Sequence, residues 1–511
     1  MSGYIRSPMD TDSNSFDLLI IGGGINGVGI ARDAAGRGLS VALCEQGDLG
    51  GATSSASSKL IHGGLRYLEN FQFRLVREAL CEREILMRTA AHLITPLRFL
   101  LPHVPQVRAA WKIKSGLFLY DHLSRRSNLP RSKTLRFQGE LVGQELKPAY
   151  RKGFAYSDCL VDDARLVLLN GRDAAIHGAK IMVRVQFLSA KIADGMWRVT
   201  VKDQITGHQL VLQARSLVNA AGPWTEQVAT SIEGWQSRRR IRLVKGSHII
   251  VPRLHLGKHA YMLQNEDKRV LFVIPYEDLF SLVGTTDIAY GGNPEPVTVS
   301  TEEIMYLCGV VTRFFTHSLS PQDIVWQYAG LRPLYDDGKS NPSAVTRDYA
   351  IELQRVDGVA PIVTVYGGKL TTYRNLAERV LEKLSNILPH LGCSWTESTP
   401  LPGGDLPRGG ITALVQDLAC KYSRLPLPML TAIARRHGTL AWEVLDGADD
   451  TESLGKHFGA CLFAREVDYM IEKEWARTGE DVLWRRTKTG LQMQEEQRRA
   501  VSDYVAARIG I

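Results

Sequence analysis

The sequence lacks any apolar run approaching the roughly 18–20 residues needed to cross a bilayer as a helix. A membrane role would therefore have to be played from the surface. Its seven cysteines are Cys44, Cys81, Cys159, Cys308, Cys393, Cys420 and Cys461; they are scattered and never spaced as CxxC. That argues against a disulfide framework or a zinc centre and for reduced thiols in a cytosolic setting, each a small buried hydrophobe. No grouping of histidine, cysteine and carboxylate has metal-ligand spacing, so no metal is expected. No Ser-His-Asp order suggests a hydrolase. Zinc-finger spacings, aromatic RNP-like strands and a long basic tail are missing, which removes nucleic acid from the expected partners. There is no internal repeat or low-complexity tract. Residues 1–14 are polar and without the apolar segment of a secretory signal.

What is present is a chain of 511 residues, too long for a single core, with 44% hydrophobic and 23% charged residues. Those fractions belong to a globular protein of two or three domains. The formal charge of +8 points to an anionic partner, a substrate or a lipid surface.

Phe16 to Ile21 reads as a buried parallel strand ending at Gly22-Gly23-Gly24. A helix follows from about Gly24 to Arg37, with Gly38 as its C-cap, and a second strand from Leu39 to Cys44. Strand, helix and strand in succession imply a right-handed βαβ unit. Further apolar strands read at 181–185, 197–201, 217–220, 270–274, 281–283 and 362–365. The expected fold is mixed α/β: a Rossmann-like nucleotide-binding domain interleaved with a β-sheet substrate domain. The body spans 16–391, with cofactor segments at 16–79, 150–225 and 330–391 and substrate segments at 80–149 and 226–329. A linker rich in proline and glycine, 392–410, leads to a helical C-terminal domain, 411–511.

Gly22, Gly24 and Gly27 form a G-x-G-x-x-G fingerprint directly after the first strand. The first glycine allows the tight turn, the second lets backbone approach a pyrophosphate, and the third permits close packing of helix on strand. Glu45, at the end of the next strand, is placed to accept hydrogen bonds from a ribose diol and disfavours a 2′-phosphate. FAD or NAD is expected before NADP. Two further glycine elbows, 219–224 with Gly222 and 366–372 with Gly368, Lys369, Leu370 and Thr371, each follow an apolar strand. A hydroxyl-rich loop supplies Thr53, Ser54 and Ser58 ahead of His62 and Gly63. Three returns to one site suit a large cofactor buried along its length, which favours FAD.

The segments GGGINGVGIARDAAGRGLSVALCE, SSASSKLIHGGLRYLE, SDCLVDDARLV, NAAGPW, KGSHIIVP, LQNEDKRVLFVIPY, GTTD, GLRPL, TRDY, GGKLTTYR and LWRRTK occur in that order. Together they resemble the aerobic, FAD-dependent glycerol-3-phosphate dehydrogenases of the D-amino-acid-oxidase-like superfamily, from about residue 16 to the C-terminus. The resemblance implies FAD, oxidation of sn-glycerol 3-phosphate to dihydroxyacetone phosphate, and electron delivery to membrane quinone. It also implies that Arg66, Tyr67 and Arg332 line the substrate pocket, with Arg347 a neighbour. Arginine suits that work because its planar fork meets phosphate oxygens bidentately. Lys369, near a helix N-terminus, would stabilise negative charge on the reduced cofactor or the substrate oxygen. His62 and His248 are the two candidate bases, since imidazole has the suitable unperturbed pKa. His62 could instead fix its loop or touch the cofactor. Asp287 and Thr371 or Thr372 would orient these groups.

Attachment to anionic lipid at the cytoplasmic face of the inner membrane is the physical solution for a quinone-reducing chain without a spanning helix. Trp111 to Arg126, which mixes aromatic and basic residues, is the candidate segment. The helical C-terminal domain could serve a homodimer or another partner. The alternatives are a glycerol-3-phosphate oxidase using oxygen, a related amine- or amino-acid-oxidising flavoprotein, and a non-catalytic flavin-binding regulator.

Overall fold

The computed structural model describes residues 14–510, apart from 124–126, 237–238, 268, 296, 337–347, 357, 359 and 389. The chain opens with strand β1 (Ser15–Ile21), helix α1 (Ile25–Gly36) and strand β2 (Val41–Glu45). Leu18, Leu19, Ile20 and Ile21 are all buried, so both faces of β1 are covered. This is why the strand reads as a continuous apolar run rather than an alternation. Each such side chain contributes ~1.5–3 kcal/mol on burial.

β1 lies inside an eight-stranded sheet of order Ala350–Val356, Ala360–Tyr366, Gln209–Asn219, β1, β2, Lys180–Val183, with Val185–Ala193 and Met196–Asp203 joined through Gln209–Asn219. The central strands are parallel, and Ile20 sits opposite Val218 on one side and Leu43 on the other. The parallel strands bring three chain segments, each ending in a glycine elbow, to the same edge. α1 packs on this sheet with the helices Asp163–Ile176 and Tyr373–Leu384.

A second, ten-stranded sheet takes its strands from the intervening chain. Its longest pairing joins Ile241–Pro252 antiparallel to Trp326–Tyr335, which sets Val244 opposite Arg332 and His248 opposite Tyr328. Helices α2 (Phe73–Thr89) and α3 (Ala110–Leu123) lie beside it. The strands therefore alternate along the chain between the two sheets.

Beyond the body, helices Gly410–Lys421, Leu427–His437, Ala464–Lys473 and Glu495–Ile509 build cores of their own. A two-stranded hairpin, His457–Gly459 with Leu462–Phe463, interrupts them and was not anticipated. The segment before these helices has neither helix nor strand, yet it is packed on the body. Leu401 is buried and its N–H donates to the Thr89 carbonyl at 2.7 Å, while the Arg32 guanidinium lies 4.8 Å over the Trp395 ring. Arg165 of the body joins the C-terminal helices: it pairs with Glu474 at 2.6 Å, and its Nε donates to the Arg436 carbonyl at 3.0 Å. Removing one partner of such a buried pair costs ~3–5 kcal/mol.

Candidate active site

The three glycine elbows meet at one cavity of about 580 Å³, within the range of small-molecule sites. Gly22 has φ +106°, and a Cβ there would stand 2.7 Å from the Ala220 carbonyl oxygen. At Gly27 a Cβ would lie 1.9 Å from the Gly22 oxygen, so this glycine serves the turn and helix packing rather than the cavity surface. Asn26 Nδ2 donates to the Gly367 carbonyl at 3.1 Å and ties the first elbow to the third. Gly24 is the N-cap of α1, with extended backbone, and lines the cavity; a Cβ there would crowd Ser54 Oγ at 3.2 Å. The α1 N-terminus thus presents backbone donors and a partial positive charge; Ile25 N–H meets Ser54 Oγ at 3.0 Å.

Glu45 lines the cavity at the end of β2. Its carboxylate accepts from Gly23 N–H at 2.6 Å and from Gly47 N–H at 2.7 Å. Burial raises its pKa, opposed by those two hydrogen bonds. A carboxylate offers about four acceptor positions, so two remain for a ribose diol. Thr53, Ser54, Ser58, His62, Gly222, Gly368, Lys369, Leu370 and Thr371 line the same cavity. Gly63 does not: its N–H donates to Tyr120 Oη at 2.8 Å, and a Cβ would meet Leu80 at 2.5 Å, which anchors the loop from behind.

Positive charge gathers at one end. Arg332 bonds to Asp287, and its Nη2 donates to Thr285 Oγ1 at 2.9 Å. Arg66 approaches the same Asp287 carboxylate at 3.7 Å. Lys369 Nζ stands 3.8 Å over the Tyr67 ring. Arg66, Arg332, Lys369, Tyr67 and Asp287 all line the cavity. Arg66 and Arg332 meet at one carboxylate, and Lys369 stands on the same cavity, a set of cations suited to a bound dianion. Arg347 lies outside the described residues.

The two histidines are placed differently. His62 is half-buried on the cavity wall, its N–H donating to Thr371 Oγ1 at 3.2 Å. Burial first, then Lys369, Arg83 and Arg332, lowers its pKa to about 3, so the imidazole is neutral. His248 sits behind the wall. It is 1% exposed, its Nε2 shares a hydrogen bond of 2.9 Å with Ser58 Oγ, and its ring stacks on Tyr328 at 4.9 Å. Burial, then Arg332 and Lys59, holds it well below the usual range. Among the described residues, its hydrogen bond toward the cavity runs through Ser58. Thr372 is wholly buried at the start of the helix Tyr373–Leu384 and does not line the cavity either.

Part of the cavity lining carries no local motif. Asp48 and Arg485 line the cavity. Asp48 is gripped by Arg485 and Arg486, the latter donating Nη2 to Asp48 Oδ1 at 2.8 Å, while Arg184 donates to Asp481 at 2.8 Å. The partners lie 438 residues apart, and no local pattern joins them.

A family model described as FAD dependent oxidoreductase, DAO, matches residues 17–368. The chain belongs to this family. A second model, the C-terminal domain of alpha-glycerophosphate oxidase, matches residues 394–509. Among individual relatives of this FAD-dependent oxidoreductase, a glycerol-3-phosphate dehydrogenase of Pseudomonas aeruginosa is 51% identical over 96% of this chain and 95% of its own. A D-erythritol 1-phosphate dehydrogenase of Brucella abortus is 49% identical over 96% and 97%. The solved structure of a Bacillus halodurans glycerol-3-phosphate dehydrogenase complexed with FAD superposes with a TM-score of 0.76 at 25% identity, covering 97% of this chain and 94% of that one. The expected mixed α/β architecture with a helical C-terminal domain is that of the family, and FAD is its cofactor. The residues present fit that group: the glycine cradle at the α1 N-terminus for the pyrophosphate, Glu45 for a ribose, and the elbow Gly367–Thr371, held to the cradle through Asn26, for a further part of the cofactor.

Proposed function

We propose that the protein oxidises sn-glycerol 3-phosphate to dihydroxyacetone phosphate and passes the electrons to a membrane quinone. The observation that carries the reading is the pair Arg66 and Arg332 on Asp287, with Lys369 over Tyr67, on the cavity that bears the dinucleotide cradle. A phosphate dianion held by both guanidinium groups would fix the adjoining carbon chain in register. Asp287 aligns the two forks. Lys369, above Tyr67, would stabilise the substrate oxygen as negative charge develops. His62, neutral and on the wall, would take the hydroxyl proton, and its pKa would rise beside a bound dianion. His248 would act by orienting Ser58. When bound, FAD supplies the acceptor for the hydride.

A second polyol phosphate has support from the Brucella abortus relative, at nearly the same identity. Anaerobic addition of sn-glycerol 3-phosphate should bleach the bound flavin, and D-erythritol 1-phosphate should do so far less efficiently. The reverse order of kcat/KM would assign the longer substrate. No bleaching by either would end the reading.

The membrane side rests on α3. Ile113, Leu117 and Tyr120 bury one face, while Trp111 and Phe118, seven residues apart and so on one line of the helix, are 66% and 61% exposed. Lys112 and Lys114 flank them. Phe71 and Phe73, at the start of α2, add exposed rings 6.1 Å apart. An exposed apolar patch rimmed by lysines suits insertion into an anionic lipid surface. No helix among the described residues is long and apolar enough to cross a membrane. The oxidase alternative predicts hydrogen peroxide in place of quinol.

A further inference from the structure

Behind the pair Arg332 and Asp287 lies a carboxylate that does not line the cavity. Along the strand Ile241–Pro252, Gly246 lines the cavity, and its neighbours Lys245 and Ser247 point to the opposite face, as successive residues of a strand do. The segment Thr285-Thr286-Asp287 is divided in the same way: Thr285 and Asp287 line the cavity, and Thr286 between them is buried behind it. The cavity side holds Arg332, bonded to Asp287 and to Thr285 Oγ1. Gly246 makes room for it: a Cβ there would stand 2.6 Å from Arg332 Nη2 and 2.7 Å from Thr285 Oγ1.

The opposite side converges on Glu303, 2% exposed in the first turn of the helix Thr301–Phe314. Its Oε1 accepts from Ser247 Oγ and from Thr286 Oγ1, both at 2.8 Å. Its Oε2 accepts from Lys245 Nζ at 2.6 Å and from Ser300 N–H at 3.0 Å. A carboxylate offers about four acceptor positions, so all are engaged. Burial would raise the Glu303 pKa, and these donors, Lys245 foremost, hold it below the usual carboxylate range. Thr286 is the link to the cavity side. Its Oγ1 also accepts the Ser247 N–H at 3.0 Å, and its carbonyl accepts from Arg332 Nη1 at 3.4 Å. One carboxylate therefore pins both segments that frame Arg332.

We propose that Glu303 is a positioning residue for phosphate binding: through Ser247 and Thr286 it fixes the two segments between which Arg332 and Asp287 are aligned. The inference rests on the proposed polyol-phosphate reading and adds to it a residue that touches neither substrate nor cofactor.

The test is calorimetric titration of the oxidised, FAD-loaded protein with inorganic phosphate, alongside steady-state oxidation of sn-glycerol 3-phosphate and of unphosphorylated glycerol. Glu303→Gln keeps the shape and turns an amide N–H2 toward donors. The dissociation constant for phosphate should rise roughly two- to tenfold. KM for sn-glycerol 3-phosphate should rise by a similar factor with kcat within about twofold, and glycerol should lose little. Thr286→Val cuts the link with Glu303 still in place and should act in the same direction, whereas Thr286→Ser restores the hydroxyl and should return both constants to the parent values. Unchanged phosphate affinity in Glu303→Gln and Thr286→Val, or no phosphate binding by the parent protein, would overturn the assignment. Flavin loss in both variants, or equal losses for the two substrates, would mark a merely structural role and overturn it too. Phosphate binding that weakens as expected, in a protein whose flavin no polyol phosphate bleaches, would strike the proposed reaction alone.

Discussion

Replacing Arg332 by lysine keeps a positive charge and removes a planar fork, which separates charge from geometry in the proposed phosphate clamp. A guanidinium has five N–H donors. Asp287, Thr285 and the Thr286 carbonyl engage three of them, which leaves two for phosphate oxygens. A single ammonium cannot hold Asp287 and also present two parallel donors. Losing one charge-assisted hydrogen bond costs ~1.5–3 kcal/mol, roughly ten- to a hundredfold in kcat/KM. If the contact is equally strong in ground and transition states, the loss falls mainly on KM. The assay is steady-state oxidation of sn-glycerol 3-phosphate with a dye acceptor, alongside unphosphorylated glycerol, a poor substrate lacking the gripped group. FAD content should be unchanged. Equal losses for the two substrates would refute the phosphate contact. The Arg66→Lys, Arg332→Lys double variant should lose less than the product of the singles, since both side chains share Asp287.

Glu45→Ala should weaken FAD retention, read as flavin absorbance per chain after gel filtration, because the ribose acceptor and the partner of Gly23 and Gly47 both disappear; unchanged occupancy would remove Glu45 from the site. Trp111→Glu with Phe118→Glu should cut co-sedimentation with anionic liposomes at least tenfold, each lost aromatic insertion being worth about 1.5 kcal/mol or more, and undiminished binding would move the membrane surface elsewhere. Acid should destabilise the fold through its buried neutral histidines. His62, His92 and His255 are lowered to about 3 and His259 to about 4 from 6.5, chiefly by burial. The unfolded chain therefore binds protons first as pH falls through 6.5. Their stabilisation is complete above that value and is lost between it and the folded pKa values, at up to about 1.4 kcal/mol per histidine per pH unit. Thermal melts from pH 7.5 to 5 should show a falling Tm, and a flat profile would contradict these assignments.

Legibility in the sequence followed the range of the interactions. β1, α1, β2 and the glycine turn were readable because each is determined within a few residues. Even there the second strand starts at Val41 instead of Leu39: Ser40 is engaged by Asp17, accepting its N–H at Oγ at 2.8 Å and donating to its carboxylate. Strands Ile94–Pro102 and Trp326–Tyr335 were not distinguished, since Pro96, Gly330 and Pro333 look like breaks in an apolar period. They are strands because the sheet, not their own propensity, fixes them. His248 was visible as a motif residue, but its position behind Ser58 depends on the pairing of Ile241–Pro252 with Trp326–Tyr335. The Asp48–Arg486 contact had no local signature at all.

That contact also sets an order of events during synthesis. Asp48 leaves the ribosome early, in the segment that carries the glycine cradle, whereas Arg485 and Arg486 emerge only after nearly the whole chain has been made. Until then Asp48, on the cavity that carries the cradle, lacks both arginine partners. A chain interrupted before the C-terminal helices should therefore hold less flavin per chain than the whole one, and equal flavin content would refute that coupling.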